Sequence, residues 1–90
     1  MSAKFPLGQV CFTRGALENS PVLDAAADAL ERHARGDWGV VGADDWREND
    51  FAVTDGARIL SAYVDGKGTR FWVITEADRS ATTILLPDEY

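Results

Sequence analysis

The chain has 90 residues, 46% hydrophobic and 27% charged, with a net charge of −6. That balance fits a globular domain rather than a disordered chain, and the length suits one core, so a single domain over residues 1–90 is expected. No apolar run approaches the roughly 20 residues that span a bilayer, Met1 to Leu7 lacks the apolar stretch of a secretion signal, and the single cysteine, Cys11, excludes an intrachain disulfide, so a cytoplasmic protein without membrane contact is expected.

In chain order, Gln9 to Thr13 is the first candidate strand, after the interruptions at Pro6 and Gly8. Thr13-Arg14-Gly15 reads as a turn that opens a short helical turn at Ala16 to Glu18. The first full helix begins at Ser20, a good N-cap, with Pro21 at the first helical position, where a missing N–H is harmless. Leu23, Ala26, Ala27, Leu30 and Ala34 recur at helical spacing, and Gly36 is placed to end the helix in a left-handed cap. Gly36-Asp37-Trp38-Gly39 is a loop with a large aromatic at its centre. A second helix is expected from about Ala43 to Thr54, started by Asp44 or Asp45, lined inward by Trp46, Asn49, Ala52 and Val53, and ended by Gly56.

The rest reads as a β-meander. Ala57 to Val64 is one strand, Asp65-Gly66-Lys67-Gly68 a hairpin turn, and Thr69 to Thr75 the next strand. Phe71, Val73 and Thr75 share one face; Arg70, Trp72 and Ile74 share the other, which the N-terminal segment or a partner would cover. Glu76 to Ser80 is a turn, and Thr82 to Leu86 the last strand, closed by Pro87. The expected fold is α+β: two helices packed on a three- to four-stranded antiparallel sheet with a C-terminal β-meander.

Charge is unevenly spread. Glu18 to Asp55 holds ten acids and three bases, −7 over 38 residues, and the remainder is +1. Direct nucleic-acid binding needs a basic face and is not expected. Asp44, Asp45, Glu48 and Asp50 form an acidic helix start without the spacing or glycine of a calcium loop, so no metal is assigned. They would suit a basic partner, imitating phosphates. Trp38 in its loop would be an interface anchor if exposed and a lid over the core if buried. The turn containing Glu76, Asp78 and Arg79 is a further candidate contact. His33, the single histidine, with Asp37 could form an orienting pair for general-base work, converging with Glu76, Asp78 and Arg79 in a small nuclease or transferase site. The plainer reading of His33 is a helix-end residue bonding the last carbonyls. Cys11 among Val10 and Phe12 reads as a small core residue. No catalytic residue and no cofactor is assigned.

Several stretches resemble a family of small uncharacterised proteins carried on plasmids, phages and integrative elements. They are Arg32-His33 with Gly36-Asp37-Trp38-Gly39, Glu48-Asn49, Arg58 with Ser61-Ala62-Tyr63, Trp72 to Ser80, and Thr82 to Tyr90. The similarity runs from about Phe5 to the end and departs around Phe12 to Leu23 and Val40 to Asp45. It implies an accessory protein of mobile DNA with no established activity. Together with the acidic helix this leads to the expected function: a non-enzymatic inhibitor of a host defence complex, of anti-CRISPR or anti-restriction type. Its partner would be a host protein complex with a basic nucleic-acid-binding surface. The alternatives are the small enzyme above and a homodimer that uses Trp72 on the second sheet face.

Overall fold

The computed structural model describes residues 3–90, so Met1 and Ser2 of the Met1–Leu7 segment lie outside the described residues. The elements are β1 (Gln9–Phe12), α1 (Arg14–Leu17), α2 (Ser20–Ala34), α3 (Ala43–Asp55), β2 (Ile59–Val64), β3 (Arg70–Thr75) and β4 (Ala81–Leu85), followed by a 3₁₀ turn, Pro87–Glu89. No helix among the described residues is long and apolar enough to cross a membrane.

Local chemistry sets the element ends. Thr13 caps α1 through its hydroxyl, which accepts from the Ala16 N–H. Asn19, one residue before the expected Ser20, caps α2: its carbonyl oxygen accepts the Val22 N–H at 3.1 Å. Pro21 then falls within the first helical turn, where its missing N–H leaves no bond unmade. At the other end Gly36 has φ +87°. The Gly36 N–H donates to the His33 carbonyl and the Asp37 N–H to that of Arg32, the paired bonds of a Schellman ending. Gly56, at φ +78°, ends α3 in the same left-handed conformation.

The sheet order is β1-β4-β3-β2. β2–β3 and β3–β4 are antiparallel, as their short connections require, but β1 lies parallel to β4, so the sheet is mixed rather than antiparallel throughout. β1 reaches the meander only through the helical layer, and so long a crossover imposes no antiparallel orientation.

Ile59, Ser61, Tyr63, Phe71, Val73, Thr75, Thr82 and Ile84 form the face beneath the helices. Ala16, Val22, Ala26 and Ala29 pack on Tyr63, Phe71, Val73 and Ile84; a second cluster joins Phe5, Trp38, Ala52 and Ile59. The buried residues of α2 are Val22, Ala26, Ala29, His33 and Ala34; Ala26 and Ala34 belong to the expected stripe, but Ala27 is exposed and Leu23 is 39% exposed. The small Ala26 and Ala29 side chains let the helix sit close to the sheet.

On the second face, Trp72 is half-buried under Tyr90, edge-to-face at 5.4 Å between centroids. The Arg58 guanidinium donates to the Tyr90 hydroxyl at 2.7 Å. The C-terminal turn, not the N-terminal segment, supplies this cover. It is held by Glu89, whose carboxylate accepts from the Thr13 hydroxyl at 2.6 Å and the Gly15 N–H at 2.9 Å. The N-terminal segment instead crosses the helical side, where the Lys4 N–H donates to the Ala34 carbonyl at 2.8 Å and Phe5 stacks on Trp38.

Candidate functional site

α3 turns Trp46, Asn49, Ala52 and Val53 inward at helical spacing. Asn49 and Ala52 are buried, and Trp46 and Val53 half-buried. Three side chains seat the helix. The Asn49 amide donates to the Leu60 carbonyl at 2.7 Å and accepts the Leu60 N–H at 3.2 Å, satisfying both backbone groups of one residue on the outer edge of β2. The Trp38 indole N–H donates to Asp50 at 2.9 Å. The Arg79 guanidinium donates to the Ala52 carbonyl at 2.7 Å, near the helix C-terminus, and to the Ala57 carbonyl at 2.7 Å. α3 has no base of its own in its last turn, so Arg79 supplies the positive charge that the negative end of the helix dipole favours.

The outward face is thereby fixed. Asp44, Asp45, Glu48, Asp50 and Asp55 are all exposed, with Arg47 the single base, paired to Asp44. Phe51 is 74% exposed and shares its side of the helix with Asp44, Glu48 and Asp55. A depression of about 410 Å³ is lined by Arg47, Asp50, Phe51 and Thr54. Another of about 260 Å³ is lined by Asp45, Glu48, Asn49, Arg58, Leu60 and Tyr90. Neither contains a nucleophile beside a base. The first sets the exposed Phe51 beside one carboxylate, Asp50, and the second sets Asp45 and Glu48 beside Arg58 and Tyr90.

The expected contact residues divide. Asp44, Asp45, Glu48 and Asp50 share the α3 surface. Trp38 does not: its side chain is 0% exposed, stacked on Phe5 and edge-on to His33, and is a core residue rather than an interface anchor. The turn residues also separate. Arg79 has φ +62° and lays its guanidinium over Phe5, facing α3 rather than solvent. Asp78 accepts the Ser80 N–H at 3.0 Å, and the Ser80 side chain together with this backbone bond holds its carboxyl below the usual range. Glu76 is exposed, 4.0 Å from Arg58.

The enzyme-site residues are not assembled. Asp37 binds Arg32 at 2.8 Å, which lowers the carboxyl's pKa, and accepts the Gly39 N–H; it does not reach His33. His33 points into the core, not at the last helix carbonyls. Its Nδ1 is 2.5 Å from the Ser61 hydroxyl and its Nε2 2.8 Å from that of Thr75. Thr75 is 2.7 Å from Thr82, whose hydroxyl donates to the Leu7 carbonyl at 2.7 Å. Each hydroxyl has one proton, and the carbonyl can only accept. Thr82 therefore accepts from Thr75, Thr75 from His33 Nε2–H, and Nδ1 from Ser61. The chain of bonds is complete with a neutral His33. Burial, with Arg79 adding repulsion, lowers its pKa to about 4. His33 and Ser61 are both 0% exposed, so this pair meets no substrate. Cys11 is half-buried on β1 rather than in the core.

Phe51 is the surface residue that a linear reading misses. Its position was legible in principle: it lies seven residues after Asp44 and three after Glu48, on the polar side of the Trp46, Asn49, Val53 stripe. No known family, curated protein or solved structure matches the chain.

Proposed function

We propose that this chain is a non-enzymatic binding protein whose α3 face docks on a basic, nucleic-acid-handling surface of another protein and blocks it. The observation that carries the reading is the exposed surface of α3: five exposed carboxylates and one arginine, with Asp44, Glu48 and Asp55 on the same side of the helix as a 74% exposed Phe51. Carboxylates at helical spacing can occupy positions that a basic channel keeps for phosphates, and a central aromatic provides the desolvated anchor that charge alone lacks. The resemblance noted in the sequence implies an accessory protein of mobile DNA, and by analogy we take a host restriction or CRISPR nuclease complex as the target class.

The test is competition. Purified restriction and CRISPR nucleases are titrated with the chain in the presence of labelled DNA. Displacement of DNA from one of them is expected, weakening steeply with added salt. Reversal of Asp44, Asp45 and Glu48 to Lys, and separately Phe51→Ala, should each weaken displacement at least tenfold while the fold persists by circular dichroism. Displacement that survives the charge reversal overturns the reading.

A further inference from the structure

The two edges of the sheet are treated differently. The β2 edge is closed: Asn49 satisfies both backbone groups of Leu60, the Ala62 N–H donates to the Trp38 carbonyl at 3.1 Å, and the Val40 N–H donates to the Ala62 carbonyl. The β1 edge is open. In the parallel β1–β4 pairing the Gln9 N–H donates to the Ser80 carbonyl at 2.9 Å and the Thr13 N–H to the Ile84 carbonyl at 3.0 Å. Alternation along a strand then turns Gln9, Cys11 and Thr13 toward β4 and Val10 and Phe12 away from it. Among the described residues no backbone partner meets Val10 or Phe12 on that outer side.

We propose that two copies of this chain pair antiparallel along β1, about a two-fold axis through Cys11. Three observations select a second copy as the occupant. First, the edge is self-complementary. With the axis at Cys11, Val10 of each copy faces Phe12 of the other, and all four outward N–H and all four outward C=O groups in the pair have had their geometry matched into two exchanged pairs of bonds. An axis at Val10 would set Phe12 against Gly8, whose φ of +66° is not a strand conformation. Second, the edge lacks protection. Phe5 to Thr13 carries no charge in a chain of net charge −6, and β1 has neither the lysine nor the proline that keeps edge strands single. Val10 is 39% exposed and would pack against the other copy's Phe12. Third, charge permits it. α3 docks on β2, the strand at the opposite edge, so β1 pairing joins two uncharged strands and keeps the two α3 surfaces apart.

The arrangement has a covalent signature. Cys11 faces Cys11 at a non-hydrogen-bonded antiparallel position, where Cα atoms lie about 4.5 Å apart, within the roughly 4.4–6.8 Å that a disulfide spans. Two short strands bury little area, so the association is concentration-dependent.

Sedimentation and diamide trapping test it. Diamide takes up the two electrons and two protons that the paired thiols release on forming the disulfide. The expected results are a mass rising toward twice the monomer with concentration in reducing buffer, and Cys11–Cys11 trapping at least tenfold faster in the native protein than in denaturant. Val10→Pro removes an N–H that β4 does not use, and Val10→Lys charges the edge. Each should give a monomer and remove the trapping advantage, and the lysine variant serves alone if the proline variant fails to fold. A native chain that stays monomeric and traps no faster than the denatured one overturns the proposal. So does a dimer that a folded Val10 variant leaves intact.

Discussion

His33 is held neutral by its surroundings: no water reaches it, both ring nitrogens are bonded, and the Arg79 charge opposes a second proton. The unfolded chain takes that proton near the ordinary histidine value of 6.5, the folded chain only at about 4. Between those values the unfolded state binds more protons, so stability is complete above about pH 6.5 and falls as pH drops toward 4. The loss is expected to reach about 3 kcal/mol. Denaturant titrations from pH 7 to 4.5 should show that slope in the native chain, and His33→Gln should flatten it. Gly39 is the other residue with little freedom. It has φ +77°, and a Cβ there would meet the Ala62 carbonyl and the Tyr63 ring. Gly39→Ala is expected to lower stability by at least about 2 kcal/mol in urea denaturation, because backbone strain and a backbone clash combine at one atom.

At the scale of elements, α3 is a polar helix whose place depends on bonds made outside it. Only Asn49 and Ala52 are buried along its length. Asn49 ties it to β2, Trp38 to the preceding loop, and Arg79 to the β3–β4 turn. Arg79→Gln removes the cation from the helix C-terminus and two bonds to the Ala52 and Ala57 carbonyls. Stability should fall by about 1–3 kcal/mol. Amide exchange in the last turn of α3 should accelerate more than exchange in β3, since the sheet retains its own bonds. If exchange rises uniformly instead, Arg79 supports the whole fold rather than the α3 seat.

At the scale of the molecule, the two edges of the sheet differ in charge. The carboxylates of α3 flank one edge of the sheet, and the uncharged β1 forms the other. A face of this kind attracts basic partners over distances set by salt, about 8 Å at physiological ionic strength. Association with the nuclease identified by DNA displacement should therefore slow at least tenfold between low and physiological salt in stopped-flow measurements. Phe51→Ala should act mainly on dissociation, because an uncharged anchor contributes only after contact. Paired β1 edges would carry two such faces, and binding to a two-site target would then be lost in steps as Val10 is altered.

Much of this architecture was legible along the chain. The apolar spacing and Gly36 marked α2, Gly56 marked the end of α3, and Asp65-Gly66-Lys67-Gly68 marked the β2–β3 hairpin, because caps and turns depend on residues only a few positions apart. The alternation in β3 correctly separated Phe71, Val73 and Thr75 from Trp72 and Ile74. The candidate site was legible as composition: Asp44, Asp45, Glu48 and Asp50 lie on one helix in either reading. Tertiary structure decided the rest. It placed Trp38 in the core, turned Arg79 onto helix carbonyls, buried His33 among hydroxyls from three strands, and left Phe51 in solvent. It also set β1 parallel to β4, so that one sheet edge is closed and the other open. Those outcomes depend on the rotational phase of each helix against the sheet and on contacts between residues distant in sequence, such as Thr82 with Leu7 at 75 positions. Local pattern determines which elements form and where they stop; only their packing determines which side chains remain for a partner to meet.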